Sequence, residues 1–249
     1  SDLRMLELRH QGSLTSVAKF EKMLEVQVGG YIRNTLVYHG ASTGRFASRG
    51  GLNLQNIARP SLGDDKIEEA TERILVRGEG GTMEELSSLV RAAIKAPKGH
   101  TFVDADFSSI ENRVASWIAG QNDILELFRN GMDEYKNFAS SALYNVPYDD
   151  VTKDMRQVSK SAVLGCMFGQ GAKGLVEYAD GMGVKLSPAE AERAVKAYRE
   201  KYAKVKASWY DMEAKAIQAI QVPGTAFRSG KVLFKVAKEA LWMQLPSGR

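Results

Sequence analysis

Hydrophobic positions along the first hundred residues come in short, interrupted runs, whereas from residue 110 onward most fall at helical spacing. Leu6, Leu14, Val17, Phe20, Met23 and Leu24 predict one or two helices between Leu3 and Val28, broken near Gln11-Gly-Ser and ended by Gly29-Gly30. Tyr31 to Tyr38, β-branched and aromatic, predicts a short strand that leads into a polar loop from Gly40 to Pro60. Gly63 to Glu85 is charged and interrupted by Gly78-Glu-Gly-Gly81, so it reads as an exposed, flexible excursion. Thr101 to Asp106 predicts a strand with Phe102, Asp104 and Asp106 on one face and Val103 and Ala105 on the other.

Ile110, Val114, Trp117 and Ile118 then predict a helix that Gly120 stops. Further helices are predicted from Ile124 to Phe128, Glu134 to Tyr144, Val151 to Phe168, Gly174 to Tyr178 and Pro188 to Ile220. Strand signals return at Ala226 to Arg228, Val232 to Val236 and Ala240 to Leu245, around Ser229-Gly230 and Ala237-Lys-Glu239. The fold class expected is α+β and helix-rich. Pro246-Ser-Gly-Arg249 reads as a hairpin turn without a returning strand, so the chain is expected to be a fragment or one half of a split protein.

Composition narrows the chemistry. The 249 residues, 44% of them hydrophobic, can bury one large core or two small ones. Thirty-four basic against 30 acidic residues leave a net charge of +4, compatible with a polyanionic partner without requiring one. The single cysteine, Cys166, excludes an intrachain disulfide and lies in an apolar run that suits a small core side chain. No apolar run approaches the roughly 20 residues that span a bilayer and no leader pattern opens the chain, so no membrane partner and a cytoplasmic location are expected. One cysteine and three scattered histidines, His10, His39 and His100, do not make a four-ligand zinc site of the usual kind, which leaves oxygen as the main ligand for any catalytic metal.

The richest run is Asp154-Met-Arg156-Gln-Val-Ser-Lys160-Ser-Ala-Val-Leu164-Gly-Cys-Met-Phe168-Gly169. Arg156, Lys160, Leu164 and Phe168 recur every four residues, and one helical face carrying all four would be roughly 18 Å long, about the length of a nucleoside triphosphate. Two cations suit phosphates and the apolar groups suit base and sugar, although a solvated amphipathic helix would show the same pattern. The following Gly169-Gln-Gly171-Ala-Lys-Gly174 has the spacing of a dinucleotide-binding fingerprint but follows a helix instead of a strand, and is read as a helix stop and turn. Asp106, at a strand end before Phe107-Ser-Ser-Ile-Glu111, offers a carboxylate, and the Phe107 carbonyl a second oxygen, for a hard cation such as Mg²⁺. Asp104, nearly 7 Å along the strand, is read as a solvated charge. The loop from Thr43-Gly-Arg45 to Asn53-Leu-Gln55-Asn56-Ile57 supplies amides and a guanidinium that suit base edges or sugars, as well as the residues of any turn-rich loop.

Taken together, these three stretches resemble the A-family DNA polymerases, kin of bacterial DNA polymerase I, and more closely their bacteriophage forms. The Thr43 to Ile57 loop resembles the primer-contacting motif, Asp106-Phe-Ser-Ser-Ile-Glu111-Asn-Arg113 resembles motif A, and Arg156 to Gly169 resembles motif B on the O helix. Order and intervals agree over nearly the whole chain. The resemblance implies an incomplete right-hand polymerase: residues 1–113 a partial palm with a thumb-proximal helix and motif A, residues 114–249 the fingers with the O helix. It implies Mg²⁺-dependent, template-directed addition of deoxynucleotides to a primer 3′ end, with primer-template DNA and deoxynucleoside triphosphates as partners and two Mg²⁺ ions in the complete site.

Residue by residue, the resemblance gives Asp106 both metals, with the Phe107 carbonyl assisting, and makes Glu111 the steric gate against a ribose 2′-hydroxyl. Arg156 and Lys160 would hold the triphosphate, with Lys160 serving the leaving pyrophosphate. Phe168 would pack beside the nascent pair. Arg45 would reach the minor groove, and Asn53, Gln55 and Asn56 would contact primer or template. Leu164 stands where the best-known members carry an aromatic ring against the deoxyribose, Tyr135 where many have a phosphate-contacting histidine, and Ser109 where a glutamine is common. The family's second metal-binding carboxylate lies in a His-Asp-Glu turn of motif C, and no His-Asp pair occurs in this sequence. A C-terminal palm, in the same or a separate chain, is therefore expected as a further partner. A non-catalytic nucleotide- or DNA-binding chain of a split or degenerate polymerase is the alternative.

Overall fold

The computed structural model describes residues 18–57, 59–103 and 105–249. Asp104 and the expected helical positions Leu6, Leu14 and Val17 lie outside the described residues. The chain forms two compact units, Ser1–Asp104 and Ala105–Arg249. Both are helix-rich, and each contains a small antiparallel sheet.

In the first unit, α1 (Ala18–Val26) turns Met23 inward against Leu52, Ile57 and Val90. Of the strand expected from Tyr31 to Tyr38, the ladder contains only β1 (Leu36–Val37), paired with β2 (Ala47–Ser48). The cause is local: Asn34 takes a left-handed φ of 57°, and Tyr31 bridges back to Val28 across Gly29-Gly30. The polar loop closes with a 3₁₀ turn at Leu54–Asn56, where the Asn53 side chain accepts from the Gln55 amide at 3.1 Å. Buried Leu52 and Ile57 pin its two ends, and Arg91 donates to the Ile57 carbonyl at 2.9 Å.

The expected excursion from Gly63 to Glu85 is instead largely helical. Helix α2 (Asp64–Ala70) runs into a π-helical turn, Thr71–Val76, and α3 (Met83–Ala92) follows. Acidic Asp64 and Asp65 favour the first helix start, and Thr82 with Glu85 forms a reciprocal capping box at the second. The strand expected at Thr101 to Asp106 pairs with nothing among the described residues, and Phe102, Val103 and Phe107 are exposed. An extended segment becomes a strand only when a neighbour takes its backbone groups.

The second unit stacks seven helices: α4 (Ile110–Ala119), α5 (Asn122–Arg129), α6 (Glu134–Phe138), α7 (Lys153–Cys166), α8 (Ala172–Gly181), α9 (Pro188–Lys201) and α10 (Ala203–Gln221). Gly120, at φ 71°, ends α4 in the left-handed conformation that an L-side chain disfavours. Helix α6 continues as a π-helical turn over Ala139–Leu143. The strands β3 (Ala226–Ser229), β4 (Val232–Ala237) and β5 (Ala240–Gln244) form an antiparallel meander, with Phe227 opposite Phe234 and Phe234 opposite Met243. Lys238 and Glu239, both at positive φ, make the tight turn between β4 and β5.

The main core lies between α6, α7, α8 and α9, where Phe138, Val163, Cys166, Leu175, Tyr198 and Tyr202 are buried together. Tyr198 and Tyr202 stack at 4.4 Å between ring centroids, and Phe138 lies at 6.4 and 6.2 Å from the two. Burial holds the Cys166 thiol up at about 12, as expected of an inert core cysteine. Gly165 lets α7 approach its neighbours: a Cβ there would stand 2.7 Å from the Gln170 side chain and 3.1 Å from Leu175. Phe138→Ala removes the ring that both tyrosines pack against, and is expected to lower the unfolding free energy by about 3–5 kcal/mol, measurable by denaturant titration of the full chain.

Candidate functional site

Helix α7 displays two faces. Ser159, Ala162, Val163 and Cys166 point into the core, while Arg156, Lys160 and Leu164 are half-buried on the other side. Thr152 caps the helix start by accepting from the Met155 amide at 3.2 Å, which fixes where this face begins. The helix ends at Cys166, so the expected four-residue array is interrupted before its last member. Phe168 sits in the following turn, 72% exposed, and Gly169 at φ 82° completes the stop. The glycines after it open α8 from a turn, without the strand that a dinucleotide fingerprint needs.

Arg156 is held from one side. Its Nε donates to Asp133 Oδ2 at 2.7 Å, and its guanidinium carbon lies 5.5 Å from the centre of the Tyr135 ring. Asp133 is also the N-cap of α6, its Oδ1 accepting from the Lys136 amide at 3.0 Å. A cavity of about 300 Å³ opens beside this pair, lined among others by Ser109, Arg113, Glu134, Tyr135 and Arg156. Arg113 is fixed by a 2.8 Å hydrogen bond from Nε to the Ser108 carbonyl and by the Phe128 ring, 4.1 Å from its guanidinium carbon. Ser109, the N-cap of α4, holds a left-handed φ of 50°, a conformation rare for a serine. Burial pushes the Tyr135 hydroxyl above its usual range, opposed by a hydrogen bond with Ser109.

The structure thus brings Arg156 and Tyr135 together at one cavity and sets Lys160 and Leu164 one and two turns along the same helix face. Glu111 lies in the first turn of α4, half-buried. Asp106 and Phe107 are both exposed in the segment leading into that helix. No group of three or more His, Cys, Asp or Glu residues gathers among the described residues. A carboxylate and a backbone carbonyl fit a hard cation that completes its shell with phosphate and other oxygens. In the first unit, Arg45, Gln55 and Asn56 are exposed, whereas Asn53 is half-buried and occupied in capping its own turn.

A sequence model of DNA polymerase family A matches residues 3–239. The chain belongs to that family. It is 34% identical over 260 residues to the DNA polymerase of Bacillus phage SP02, covering 99% of this chain and 39% of that protein. It is 35% identical over 125 residues to DNA polymerase I of Aquifex aeolicus, covering 47% of this chain and 22% of that protein. The chain therefore spans about two fifths of the phage relative's length and less of the bacterial one. Among solved structures, the POL domain of Pol1 from M. smegmatis, in complex with DNA primer-template and dNTP, shares the fold over 86% of this chain and 32% of that one, at a TM-score of 0.59 and 24% identity. No helix among the described residues of this family A chain is long and apolar enough to cross a membrane.

Three charged residues of the cavity escaped the sequence reading as site candidates: Asp133, Arg113 and Glu134. Asp133 lies two residues after Gly131 and opens a helical run, an N-cap signal that was available. Arg113 stands within the quoted motif A stretch, but nothing in its spacing shows the turn it braces. Glu134 lies four residues before Phe138 and eight before Ala142, in phase with the buried face of its helix. It is 3% exposed, its Oε1 accepting a hydrogen bond from the Tyr202 hydroxyl and its Oε2 buried without a partner. Burial raises its carboxyl to about 7, helped by nearby Asp133 and opposed by the Tyr202 hydrogen bond and Arg113.

A carboxyl whose folded value lies above its unfolded value of 4.5 keeps its proton in the folded chain after the unfolded chain has lost it. Stability from this group is therefore full below the unfolded value and falls until pH exceeds the folded one. Glu134→Gln removes the titration. The unfolding free energy of the wild type is expected to fall relative to Glu134→Gln as pH rises through that window, by up to about 3 kcal/mol; equal pH profiles in urea titrations would show that Glu134 is not buried in this way.

Proposed function

We propose that this chain supplies the nucleotide-binding part of a DNA-directed DNA polymerase, adding deoxynucleotides to a primer 3′ end. Residues 1–113 are read as partial palm with motif A, and residues 114–249 as fingers. The observation that carries this reading is the half-exposed Arg156, braced by Asp133 and Tyr135 at the mouth of a polar cavity, with Lys160 one turn further along. The relatives are DNA polymerases, and the solved neighbour holds primer-template DNA and dNTP, which supports nucleotides and DNA as partners here.

With Nε engaged by Asp133, the guanidinium keeps its two terminal nitrogens for phosphate oxygens, a planar fork that suits them. Lys160 adds a point charge and a proton source for the departing pyrophosphate. Leu164, where an aromatic ring is common in the family, lays an aliphatic surface toward the sugar, and Glu111 limits the space at the 2′ position. Phe168, exposed past the helix end, is free to meet a base pair. Arg45, Gln55 and Asn56 contact primer or template from the first unit, and Asn53 orders the turn that presents them. Asp106 and the Phe107 carbonyl would hold Mg²⁺, which supplies Lewis-acid activation of the primer oxygen and charge neutralisation on the phosphates.

A second reading, binding of nucleotide and DNA without efficient chemistry, is favoured by one specific observation: the sequence has a motif A carboxylate and no His-Asp pair. A C-terminal palm segment would add the second carboxylate. Primer extension with Mg²⁺, by this chain alone and with such a segment added, separates the two readings: extension that requires the added segment establishes the first, and binding of nucleotide and DNA with no extension even after the addition establishes the second. Arg156→Ala and Lys160→Ala are each expected to weaken deoxynucleoside triphosphate binding by about 10- to 100-fold, the worth of a hydrogen bond to a charged group. Unchanged affinity in both would leave α7 a plain solvated helix. Leu164→Phe is expected to change the ratio of dideoxy- to deoxynucleotide incorporation in the completed enzyme, read by primer extension with competing terminators.

A further inference from the structure

Glu134 combines two properties that a purely structural tie does not require. Its hydrogen bond from Tyr202 links the first turn of α6 to the C-cap of α9, which a glutamine could do equally well. Yet its second oxygen is buried without a partner, and the residue lines the same cavity as Arg113 and Arg156. A buried carboxyl oxygen left unsatisfied, on a residue that lines a cavity with two arginines, is a costly arrangement that calls for a function. The ionisable groups around it are Arg113 from α4, Asp133 and Tyr135 at the start of α6, Arg156 from α7, and Tyr198 and Tyr202 at the end of α9. Tyr202 is held well above its ordinary range by burial and by Glu134, so its hydroxyl remains a donor.

We propose that Glu134 is a positioning residue that sets the charge of the polyphosphate cavity: protonated, it leaves Arg113 and Arg156 to the incoming triphosphate, and ionised, it competes for them. The inference rests on reading this cavity as the triphosphate site. One carboxylate, Asp133, already offsets one guanidinium; ionised Glu134 would offset the second and leave the cavity without net positive charge. The carboxyl titrates at about 7, so the change falls where nucleotide affinity can respond to it. Rising pH should therefore weaken binding. Removing the Tyr202 hydroxyl takes away a hydrogen bond that favours the ionised form, so Tyr202→Phe should move the transition to higher pH.

The test measures binding of a fluorescent deoxyadenosine triphosphate analogue, with Mg²⁺, to the full chain across the interval from about pH 6 to about pH 8.5. The phosphates of the probe titrate equally in every comparison, so the ratio of Kd between wild type and Glu134→Gln isolates this residue. That ratio is expected to rise about tenfold across the interval, as one added charge at close range implies, and to rise at higher pH in Tyr202→Phe. A ratio that stays constant while both proteins bind the probe overturns the inference and leaves the functional reading standing. If Glu134→Gln does not fold, the midpoints of wild type and Tyr202→Phe decide, and coincident midpoints overturn it. Failure of the wild type to bind the probe at any pH overturns the functional reading, and this inference with it.

Discussion

Asp133 meets two demands with one carboxylate. One oxygen caps α6 through the Lys136 amide, and the other holds Arg156 of α7. A helix start cannot be left uncapped without orphaning its amides, so the position of the carboxylate is fixed by backbone hydrogen bonding before any ligand is considered. The guanidinium is then oriented by a group that cannot itself move far. Arg156 is only partly exposed, and as an isolated ion pair the contact would contribute little to stability. Its value lies in direction: it commits one edge of a planar cation and leaves the other edge toward the cavity.

What keeps α6 in place is the core behind it. Phe138, one turn beyond Glu134 on the same helix, packs against both Tyr198 and Tyr202, and those rings belong to the end of α9. Tyr202 also reaches Glu134 through its hydroxyl. The same aromatic cluster therefore supports the helix that carries Asp133 and places a polar atom beside the cavity. Gly165 permits close approach of α7 to α8, and the small residues Ser159, Ala162 and Cys166 let α7 sink its inner face while Arg156 and Lys160 remain available. Core and site are not separate layers here, since each helix contributes a buried face and a functional edge.

The sequence revealed the helical half of this arrangement well, because amphipathic periodicity is a strong signal when helices are long and their stops are glycines. The expected end at Gly120 and the three short strands expected from Ala226 onward agree with the structure. The failures have separate physical causes. Charge and glycine content suggested a flexible excursion at Gly63 to Glu85, although Thr82-x-x-Glu85 carried a capping-box signature that outweighs the composition. Thr101 to Asp106 has strand character, but a strand is a relation between two segments, and alternation in one of them cannot supply the other. Phe168 was placed on a helix face by counting in fours past Cys166, where the helix ends and the turn to Gly169 begins.

Within the site, the cations were legible and the carboxylates that tune them were not. Arg156 and Lys160 stand at exposed helical spacing, where charge has an obvious reading, whereas Glu134 occupies a phase that periodicity reserves for apolar side chains. An acid at such a phase is informative for the reason that makes it easy to pass over. Burial costs a charged carboxyl several kcal/mol unless it is paired or neutralised, so its presence implies a proton, a partner or both. Tyr202 supplies the partner for one oxygen, and the raised titration supplies the proton up to about pH 7. The electrostatics of the cavity follow from the fold in that order: packing of α6 on the tyrosines buries Glu134, burial keeps it neutral, and its neutrality leaves two guanidiniums facing one committed carboxylate.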